Sequence, residues 1–591
     1  MTQVHAELVG GGESIALLAA GPAEDVAAAA KRLKALTPLF TKSDPPGALL
    51  VPCTWSAVVQ LRDAFGDNLV MGGRLADWTQ GQIIARTNPR GYAFTPPGLT
   101  PYPWQLEGAG IIAATGRALI TDEPGTGKTI TSILGLVQWA SEHHQDGPVV
   151  VICPASVVDP WVEAWGNWAP GVRAVAWRGA PAKRKALAGT ADVYVTSYET
   201  ARMDAGVRTG PGNRPLYDLE PIALVVDECH LIKNPLTARA QATRRLAKAV
   251  DGRKGAVVAL SGTPITHTPG DLFSTLSCLE PGAYPSKERW VQRYCATLPG
   301  EYSDEILGLL PSREPEFRLT LLGQHRRVAK ADVLSELPPK IYSVRTVELP
   351  PQWRKAYDAM EDTMLAELPD GSEISVMSAL AQLTRLAQLA SAAADVTVTE
   401  EPNETTGELV EHVKVKLKAP SWKVDALLEV LSERPGEPVV AFAPSRQLIQ
   451  LAGEAAAAEG YKVGYIVGGQ SMGDRTKTVE AFQNGELDLI CVTTAAGGVG
   501  ITLTAARTCV FLQRPWALVE AIQAEDRCHR IGSEIHDSIE VIDIVANNTI
   551  DARVRQVLRT RAGQLADLVQ DPRIVAELLG GKSVKEERKA S

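Results

Sequence analysis

Short apolar runs alternate with longer helical patterns in two separate parts of the chain. Between Thr100 and Ser335 the runs are mostly rich in β-branched residues and bounded by Gly, Pro or Asp; they cover 118–120, 149–152, 193–195, 223–226 and 257–260. From Pro438 onwards they cover 439–442, 463–467, 489–492, 509–512 and 539–545. Alternation of buried strands with helices predicts a parallel sheet covered by helices on both faces. We therefore predict an α/β fold with two parallel-sheet lobes.

The segments around the two lobes have different patterns. We predict a small N-terminal α+β piece over 1–95, a first lobe over 96–340, a helical and hairpin insertion over 341–420, a second lobe over 421–565, and a polar tail over 566–591. In the insertion, Val alternates with Thr before the turn-like Asn403–Gly407 and with Lys after it, which predicts a β-hairpin between Asp395 and Lys418. Its Lys414, Lys416 and Lys418 form either a solvated strand face or a DNA contact.

The composition is typical of a soluble globular protein, with 45% hydrophobic and 22% charged residues. The chain has no apolar run long enough to cross a bilayer and no secretory signal pattern at its start, so we expect an intracellular protein with no membrane partner. None of the eight cysteines forms a C-x-x-C pair, which favours buried thiols over disulfides or zinc ligands. The formal charge of -9 argues against coating nucleic acid by bulk electrostatics, but it leaves room for a local basic groove.

A candidate phosphate site follows the first predicted strand. Residues 118–121 lead into Asp122-Glu123-Pro124-Gly125-Thr126-Gly127-Lys128-Thr129, and a helical pattern comes next. Backbone N–H groups of such a loop cradle phosphate oxygens, with Lys128 reaching the β- and γ-phosphates and the Thr129 hydroxyl binding Mg²⁺. Asp122 stands where the usual first glycine would be. The alternative is a Gly-rich loop with an incidental lysine.

Two adjacent carboxylates, Asp227 and Glu228, follow the apolar strand 223–226. Asp227 suits a Mg²⁺ ligand, and Glu228 suits a base that positions and deprotonates the attacking water. Acidic residues at a strand end can also merely cap a following helix. The upstream phosphate loop makes the catalytic interpretation the stronger one.

The second lobe contains two more candidate phosphate contacts. In the stretch 523–530, Arg527 and Arg530 are three residues apart and share a face if the segment is helical. Arginine can neutralise charge that develops on the γ-phosphoryl group; the alternative is a salt-bridged helix beside Glu525 and Asp526. In the stretch 493–500, small residues let the backbone approach a phosphate of ATP or nucleic acid, although a plain strand-to-helix turn has a similar pattern.

In their order along the chain, these motifs resemble the superfamily-two helicase-like ATPases, and specifically the Swi/Snf-type DNA translocases. The resemblance extends from roughly Thr100 to Leu558. It rests on Trp104-Gln105, Asp122–Thr129, Ile152–Pro154, Val195–Tyr198, Asp227–His230, Ser261–Ile265, Asp271–Phe273, Arg326–Val328 with Glu336–Lys340, Pro444–Arg446, Thr493–Gly500, and Trp516 with Gln523–Gly532. Pro124, Cys229 and Ser533-Glu534 depart from the family pattern, but none of these changes removes a catalytic group.

The resemblance implies two RecA-like lobes that use ATP and Mg²⁺. The catalytic residues it implies are Lys128, Asp227, Glu228, Arg527 and Arg530, and Mg²⁺ is assigned to Thr129 and Asp227. Gln105 is expected to read the adenine edge through its amide donor and acceptor. The other residues expected to bind ATP are Asp122 to Thr129, Gly498, Gly500, Gln523, Arg527 and Arg530.

The function implied is a DNA-dependent ATPase that hydrolyses ATP between the lobes and tracks on double-stranded DNA. The candidate contacts to the DNA backbone are Thr196, Ser197, Arg446, Thr493 and Thr494. The alternatives are a strand-separating DNA or RNA helicase and, further off, an ATP-gated nucleic-acid clamp with little motor output. The N-terminal piece is the candidate site for a protein partner. The chain has no bromodomain-, chromodomain- or zinc-finger-like motif, which favours a cytoplasmic or nucleoid protein of a bacterium or phage-infected cell.

Overall fold

The chain divides into two compact units, Met1–Val333 (unit 1) and Leu334–Ser591 (unit 2). The structure is a computed structural model, and it describes residues 3–12, 14–20, 41–42, 49–87, 98–205, 214–262, 268–284, 286–298, 305–322, 325–334, 336–366, 384–402, 409–497 and 501–555. The predicted tail over 566–591 therefore lies outside the described residues, as do Gly498 and Gly500.

The N-terminal part of unit 1 is a small sheet packed against helices. Its elements are β1 (Gln3–Val9), β2 (Ser14–Ala20), β3 (Thr41–Lys42), β4 (Leu49–Pro52), α1 (Trp55–Phe65), β5 (Leu69–Met71) and α2 (Gly73–Thr87). The strand order is β3-β4-β2-β1-β5, with β1 and β5 parallel and the other neighbours antiparallel. Alternate residues of β1, Val4, Ala6 and Leu8, are buried and belong to one core with Val58 and Leu61 of α1. This arrangement is the predicted α+β piece.

The rest of unit 1 is built on a parallel sheet. Its strands are β6 (Arg117–Ile120), β7 (Val149–Cys153), β8 (Ala174–Ala176), β9 (Val193–Ser197), β10 (Ala223–Asp227), β11 (Ala256–Leu260) and β14 (His325–Arg326), with a separate hairpin of β12 (Cys295–Leu298) and β13 (Glu305–Leu309). Among the described residues the sheet order is β14-β6-β11-β10-β7-β9-β8, and all of these neighbours are parallel.

Helices flank this sheet and account for the apolar runs being buried on both faces. They are α3 (Pro103–Thr115), α4 (Lys128–Glu142), α5 (Val158–Trp168), α6 (Pro181–Leu187), α7 (Tyr198–Ala205), α8 (Ala238–Gly252), α9 (Leu272–Leu279), α10 (Lys287–Tyr294), α11 (Glu314–Leu322) and α12 (Lys330–Val333). α4 lies close against α3, because a Cβ at Gly135 would fall 2.7 Å from Ile112 Cβ. The residues of β11 are all fully buried.

Unit 2 is built on a second parallel sheet. Its strands are β15 (Lys340–Val347), β18 (Val439–Ala443), β19 (Val463–Ile466), β20 (Leu489–Thr493), β21 (Thr508–Phe511) and β22 (Ile539–Ala546), in the order β15-β22-β21-β18-β20-β19 among the described residues. Phe442 and Phe511 stack in its core with ring centroids 5.3 Å apart. The fold-class prediction of two RecA-like parallel-sheet lobes is confirmed. The edge strand β15 was not predicted, because Ser343 and Arg345 interrupt its apolar residues.

The remaining elements of unit 2 include the predicted insertion. They are α13 (Pro351–Ala366), a helical stretch over 384–389, the antiparallel hairpin of β16 (Ala393–Pro402) and β17 (Leu409–Lys418), then α14 (Trp422–Ser432), α15 (Arg446–Ala458), α16 (Met472–Gln483), α17 (Thr494–Gly497) and α18 (Leu518–Glu525). The predicted β-hairpin is confirmed. Gln447 of α15 anchors it, since its amide accepts from Leu417 N at 2.7 Å and donates to Val415 O at 3.3 Å.

Within the part of the chain that the structure describes, none of the helices combines the length and the apolar character needed to cross a bilayer.

The N-terminal piece is docked on the helical part of unit 1 through the start of α1. Glu280, just past α9, accepts from Trp55 N at 3.2 Å and from the Ser56 hydroxyl at 2.7 Å. The Trp55 indole donates to Leu319 O at 2.7 Å. Towards the end of α1, Asp63 forms exposed ion pairs with Arg293 and Arg313.

We expect Glu280→Ala to weaken this docking by about 1–3 kcal/mol, because it leaves hydrogen-bond donors at the start of α1 without their acceptor. Hydrogen exchange of the α1 amides would measure the local opening free energy. Asp63→Asn is the matched control, since it breaks only exposed ion pairs, each worth at most about 1 kcal/mol. Equal exchange in the two variants would contradict the role given to Glu280.

Candidate nucleotide site

The predicted phosphate loop connects β6 to the start of α4. Gly125 and Gly127 have φ angles of 88° and 91°, which side chains other than glycine rarely adopt. A Cβ at Gly127 would also fall 2.1 Å from Gln105 Nε2. Because the loop ends at a helix N-terminus, its N–H groups and the helix dipole both favour an anion. The loop therefore has the local structure that a phosphate group requires.

The Lys128 ammonium lies over this loop. It donates to Asp122 O at 2.8 Å and to Glu123 O at 3.3 Å. Thr129 follows in the first turn of α4. Lys128 is thus held where the loop would place phosphate oxygens, and binding ATP would exchange its carbonyl partners for phosphate.

Trp104 and Gln105 hold the middle of the loop from α3. The Trp104 indole and the Gln105 amide each donate to Thr126 O at 3.0 Å. The other end of the Gln105 amide accepts from Tyr102 N at 3.0 Å and so caps α3. A side-chain amide has two donors and two acceptor positions, so one of each remains for adenine. Adenine recognition by Gln105 stays a prediction.

The first half of the loop is braced by Arg326 of β14 and by the segment that follows this strand. Asp122 is buried, and its carboxylate pairs with Arg326 Nη1 at 2.5 Å. Arg326 Nη2 donates in addition to Trp104 O at 2.6 Å. Glu123 N donates to Val328 O at 3.0 Å, and the Glu123 carboxylate accepts from Lys330 N at 2.9 Å. The Asp122 side chain thus faces Arg326 in this structure, and Asp122 and Glu123 fix the loop's path.

The acidic pair lies at the carboxyl end of β10, beside β11 and two strands from the phosphate loop. The Asp227 carboxylate accepts from the Trp161 indole at 2.8 Å and from Glu228 N at 3.0 Å. Burial raises the pKa of Asp227, the Glu228 carboxylate raises it further, and Lys128 opposes the rise. A cation bound here would stabilise the charged form of Asp227. The structure therefore brings Lys128 and Asp227 within electrostatic reach of each other.

Glu228 has the left-handed φ of 51°, a conformation that costs a non-glycine residue about 1–3 kcal/mol and is concentrated at functional sites. Its Oε2 lies 3.2 Å from His230 Nδ1. The same His230 nitrogen lies 3.1 Å from the Ser261 hydroxyl, at the end of β11. His230 thus lies between Glu228 and Ser261, which directly follows β11. β11 is the strand between β6, which leads into the phosphate loop, and β10, which ends at the acidic pair.

Mg²⁺ is the metal that the sequence implies. Among the described residues there is no group of three or more His, Cys, Asp or Glu side chains placed to hold a metal. Mg²⁺ needs no such cage, since one or two protein oxygens together with substrate phosphates suffice. The Asp227 carboxylate and the Thr129 hydroxyl are oxygen donors of the required type, so the residues present fit this ion.

The two arginines of unit 2 are not on a helix, so the condition for a shared helical face is not met. α18 ends at Glu525, and hydrogen bonds from Arg527 N to Ala524 O and from Cys528 N to Glu525 O, both 3.1 Å, close tight turns instead. The arginines still come together, because Arg527 Nη1 and Arg530 Nη1 donate to Ile501 O at 3.4 and 3.3 Å. We call residues 526–530 the arginine turn. Gln523 is buried at the end of α18.

The candidate DNA contacts differ in their access to solvent. Thr196 is fully buried, and its hydroxyl donates to Trp177 O at 3.0 Å. Thr493 and Thr494 are also buried. Ser197 at the end of β9 is partly exposed, and Arg446 at the start of α15 is exposed. Ser197 and Arg446 are therefore the side chains of this set that a phosphate can reach without rearrangement.

The hairpin presents lysines to solvent, as its pattern predicted. Lys416 and Lys418 are exposed, whereas Leu417 between them is buried. Lys418 pairs with Asp395 across the hairpin.

Sequence reasoning gave no role to several residues of the site. Trp161, which binds Asp227, and Arg326, which binds Asp122, are far from their partners along the chain. Arg326 and Lys340 entered only as parts of a family signature. The residues around Arg326, Gln324-His325-Arg326-Arg327, are polar, so no local signal indicated that Arg326 is buried and paired.

Two family models match the chain: the SNF2-related domain over residues 110–393 and the helicase conserved C-terminal domain over residues 422–532. An uncharacterized ATP-dependent helicase of Mycoplasma pneumoniae is 28% identical over 445 residues, which are 74% of this chain and 39% of that protein. The chromatin structure-remodeling complex subunit snf21 of Schizosaccharomyces pombe is 24% identical over 504 residues, which are 80% of this chain and 39% of that protein. The chain thus spans about two fifths of the length of these relatives.

A solved structure, the Sulfolobus solfataricus SWI2/SNF2 ATPase core in complex with dsDNA, is 23% identical and covers 83% of this chain and 98% of that chain, with a TM-score of 0.36.

We expect Arg326→Met to destabilise unit 1 by about 3–5 kcal/mol, because it leaves a buried carboxylate without its cation. Burial raises the pKa of Asp122, and Arg326 opposes that rise. Without Arg326, folded Asp122 keeps its proton to higher pH than the unfolded chain does, so the variant's stability should fall as pH rises.

Chemical denaturation at about pH 5 and about pH 8 would measure this pH dependence. Arg326→Met combined with Asp122→Asn is the control, because it removes the charge that Arg326 neutralises, and most of the lost stability should return. Equal losses at both pH values, with no recovery in the double variant, would contradict the bracing role.

Proposed function

Because the chain belongs to the Swi/Snf-type ATPases of helicase superfamily two, we propose that it is an ATP-driven motor that moves along double-stranded DNA without separating the strands. The observation that carries the ATPase part is the placement of a braced phosphate loop and an acidic pair at the same edge of one parallel sheet. Ligands of open parallel sheets bind at the carboxyl ends of the strands.

Each group of unit 1 has a defined task in this proposal. Lys128 exchanges its loop carbonyls for the β- and γ-phosphates, and Thr129 and Asp227 supply oxygen ligands. Mg²⁺, when bound, neutralises charge on the phosphates. Glu228 orients the attacking water and accepts its proton, and the His230 ring lies beside the Glu228 carboxylate.

Unit 2 contributes Arg527 and Arg530 in this proposal. A guanidinium stays charged at all physiological pH values and binds phosphate oxygens in a fork. Both arginines now donate to a single backbone oxygen, Ile501 O, at long distances of 3.4 and 3.3 Å. Hydrogen bonds of this length are weaker than the charge-assisted bonds that a guanidinium forms with phosphate.

Movement along DNA requires a grip that does not depend on base sequence. Ser197 and Arg446 are the accessible candidates for phosphate contacts, and backbone N–H groups near Thr493 can add to them. ATP binding and hydrolysis would alternate the affinity of the two grips. The hairpin of β16 and β17 contains no Phe, Trp or Tyr, which suits a sliding contact better than a wedge between base pairs.

We expect Glu228→Gln to bind ATP but to hydrolyse it at least about 10²-fold more slowly, since a positioned general base contributes about 10²–10⁴-fold. Lys128→Ala should lose turnover because the ammonium on the phosphates is gone. Steady-state ATPase assays with no nucleic acid, duplex DNA, single-stranded DNA and RNA would measure both effects and identify the stimulating polymer. Wild-type turnover in Glu228→Gln would remove Glu228 from the role of base.

Duplex tracking without strand separation predicts opposite results in two assays on one preparation. The protein should displace the third strand of a DNA triplex in the presence of ATP, but it should leave a forked duplex intact. Turnover stimulated by DNA should also fall steeply with salt, because the grip rests on phosphate contacts. ATP-dependent fork unwinding would support a strand-separating helicase instead, and stimulation by RNA alone would support an RNA-dependent enzyme.

A further inference from the structure

Trp161 reaches the acidic pair from the helix that follows a neighbouring strand. β7 is hydrogen-bonded to β10, and the chain turns from the carboxyl end of β7 into α5. Because α5 begins at this edge of the sheet, the side chain of its fourth residue, Trp161, lies beside the end of β10. The Trp161 side chain is buried, and its indole N–H donates to Asp227 Oδ2 at 2.8 Å.

The Asp227 carboxylate is held at both of its oxygens. Glu228 N donates to Asp227 Oδ1 at 3.0 Å, and the Trp161 indole donates to Oδ2. One donor on each oxygen fixes the rotation of the carboxylate about its side-chain bonds. Each oxygen of an ionised carboxylate has two lone-pair positions, so each oxygen keeps one for a cation or a water molecule. The two hydrogen bonds therefore set the directions in which Asp227 can bind a metal.

The main chain of Asp227 is held by other contacts. The buried Tyr198 hydroxyl donates to Asp227 O at 2.5 Å. The pairing of β10 with β11 places Asp227 beside Leu260. Asp227 would therefore keep its place at the end of β10 without Trp161, and the indole acts on the carboxylate alone.

The alternative is that this hydrogen bond only satisfies a buried indole N–H. Trp165 lies one turn later in α5, and Trp161 and Trp165 are both 2% exposed. Within the part of the chain that the structure describes, the Trp165 indole nitrogen has no hydrogen-bond partner. Packing of α5 therefore does not require an acceptor for each buried indole, which favours a further role for the bond to Asp227.

We propose that Trp161 is a positioning residue for the magnesium site: its indole N–H fixes the rotation of the Asp227 carboxylate, so that the ion meets an oxygen ligand that is already oriented. Hydrogen bonds from outside the ligand set orient metal ligands in this way, and losing one typically costs about 10–100-fold in metal affinity or activity. The inference deepens the proposed function and rests on it. Trp161 itself touches neither Mg²⁺ nor ATP and acts only through Asp227.

The test begins with Trp161→Phe, which keeps an aromatic ring and removes the N–H. The probe is a non-hydrolysable ATP analogue, whose Kd is measured by calorimetry in EDTA and again at saturating Mg²⁺. The ratio of the first Kd to the second reports the Mg²⁺ affinity of the nucleotide-bound protein, because the Mg²⁺ affinity of the free analogue is the same for every variant. We expect this ratio to fall about tenfold or more. The Kd in EDTA should stay at the wild-type value, since the phosphate loop keeps its contacts.

Trp165→Phe is the matched control. It makes the same substitution in the same helix at the same burial, but it removes no hydrogen bond to Asp227. Both variants should lose thermal stability, because each leaves a cavity beside the sheet. Trp165→Phe should nevertheless keep the wild-type ratio of the two Kd values. A fall as large as that of Trp161→Phe would show a general effect of loosening α5 and would overturn the proposal.

The decisive arm repeats Trp161→Phe in an Asp227→Ala background. Asp227→Ala alone should lower the ratio, because it removes an oxygen ligand of the ion. Trp161→Phe should then lower the ratio by less than about twofold more, since the effects of two residues that act as one unit do not add. An equal further fall in both backgrounds would show that Trp161 acts by a route other than Asp227 and would overturn the proposal.

The outcomes separate this inference from the proposed function. An unchanged ratio in Asp227→Ala would remove Asp227 from the magnesium site and overturn both. A lowered ratio in Asp227→Ala, together with a wild-type ratio in Trp161→Phe, would overturn this inference alone. If Trp161→Phe does not fold, Trp161 is replaced by benzothienylalanine, which keeps the shape of the indole and has sulfur in place of the N–H. The same fall in the ratio is expected, and a wild-type ratio would overturn the inference.

Discussion

Three neighbouring parallel strands, β6, β11 and β10, bring their carboxyl ends to one edge of the unit 1 sheet. Their residues are buried on both faces, so a shift of one strand would expose apolar side chains or leave backbone groups unpaired. The phosphate loop continues β6, the acidic pair ends β10, and Ser261 follows β11. Every candidate catalytic group of unit 1 thus depends on the register of these three strands.

Much of this fold could be predicted because buried parallel strands are continuous apolar runs of a characteristic length. Each of the ten runs identified in the sequence is a strand, and the two sheets follow from their alternation with helices. For two of the strands that were not predicted, the reason is physical. β14 contains only His325 and Arg326, and β15 lies at a sheet edge where half-exposed positions accept polar residues.

The chemistry of the loop was predictable, but the partners of its residues were not. Asp122–Thr129 has local geometry that is set by its glycines and the following helix. In contrast, the pairs Asp122–Arg326 and Asp227–Trp161 join residues 204 and 66 positions apart. The spacing of residues in a motif does not predict contacts between residues that are so far apart in the sequence. The arginine turn is a different case, because the sequence left open whether Arg527 and Arg530 lie on a helix, and α18 ends before Arg527.

The Asp122–Arg326 pair has a consequence for how this loop can change over generations. A glycine at position 122 would bring no charge into the interior, and position 326 would then have no carboxylate to neutralise. A buried aspartate at position 122 is stable only when position 326, which is 204 residues downstream, already carries a cation. We therefore expect positions 122 and 326 to covary among related chains. A chain in which only one of the two positions has changed would be less stable, so the acidic and the glycine versions of the loop are not connected by a single neutral substitution.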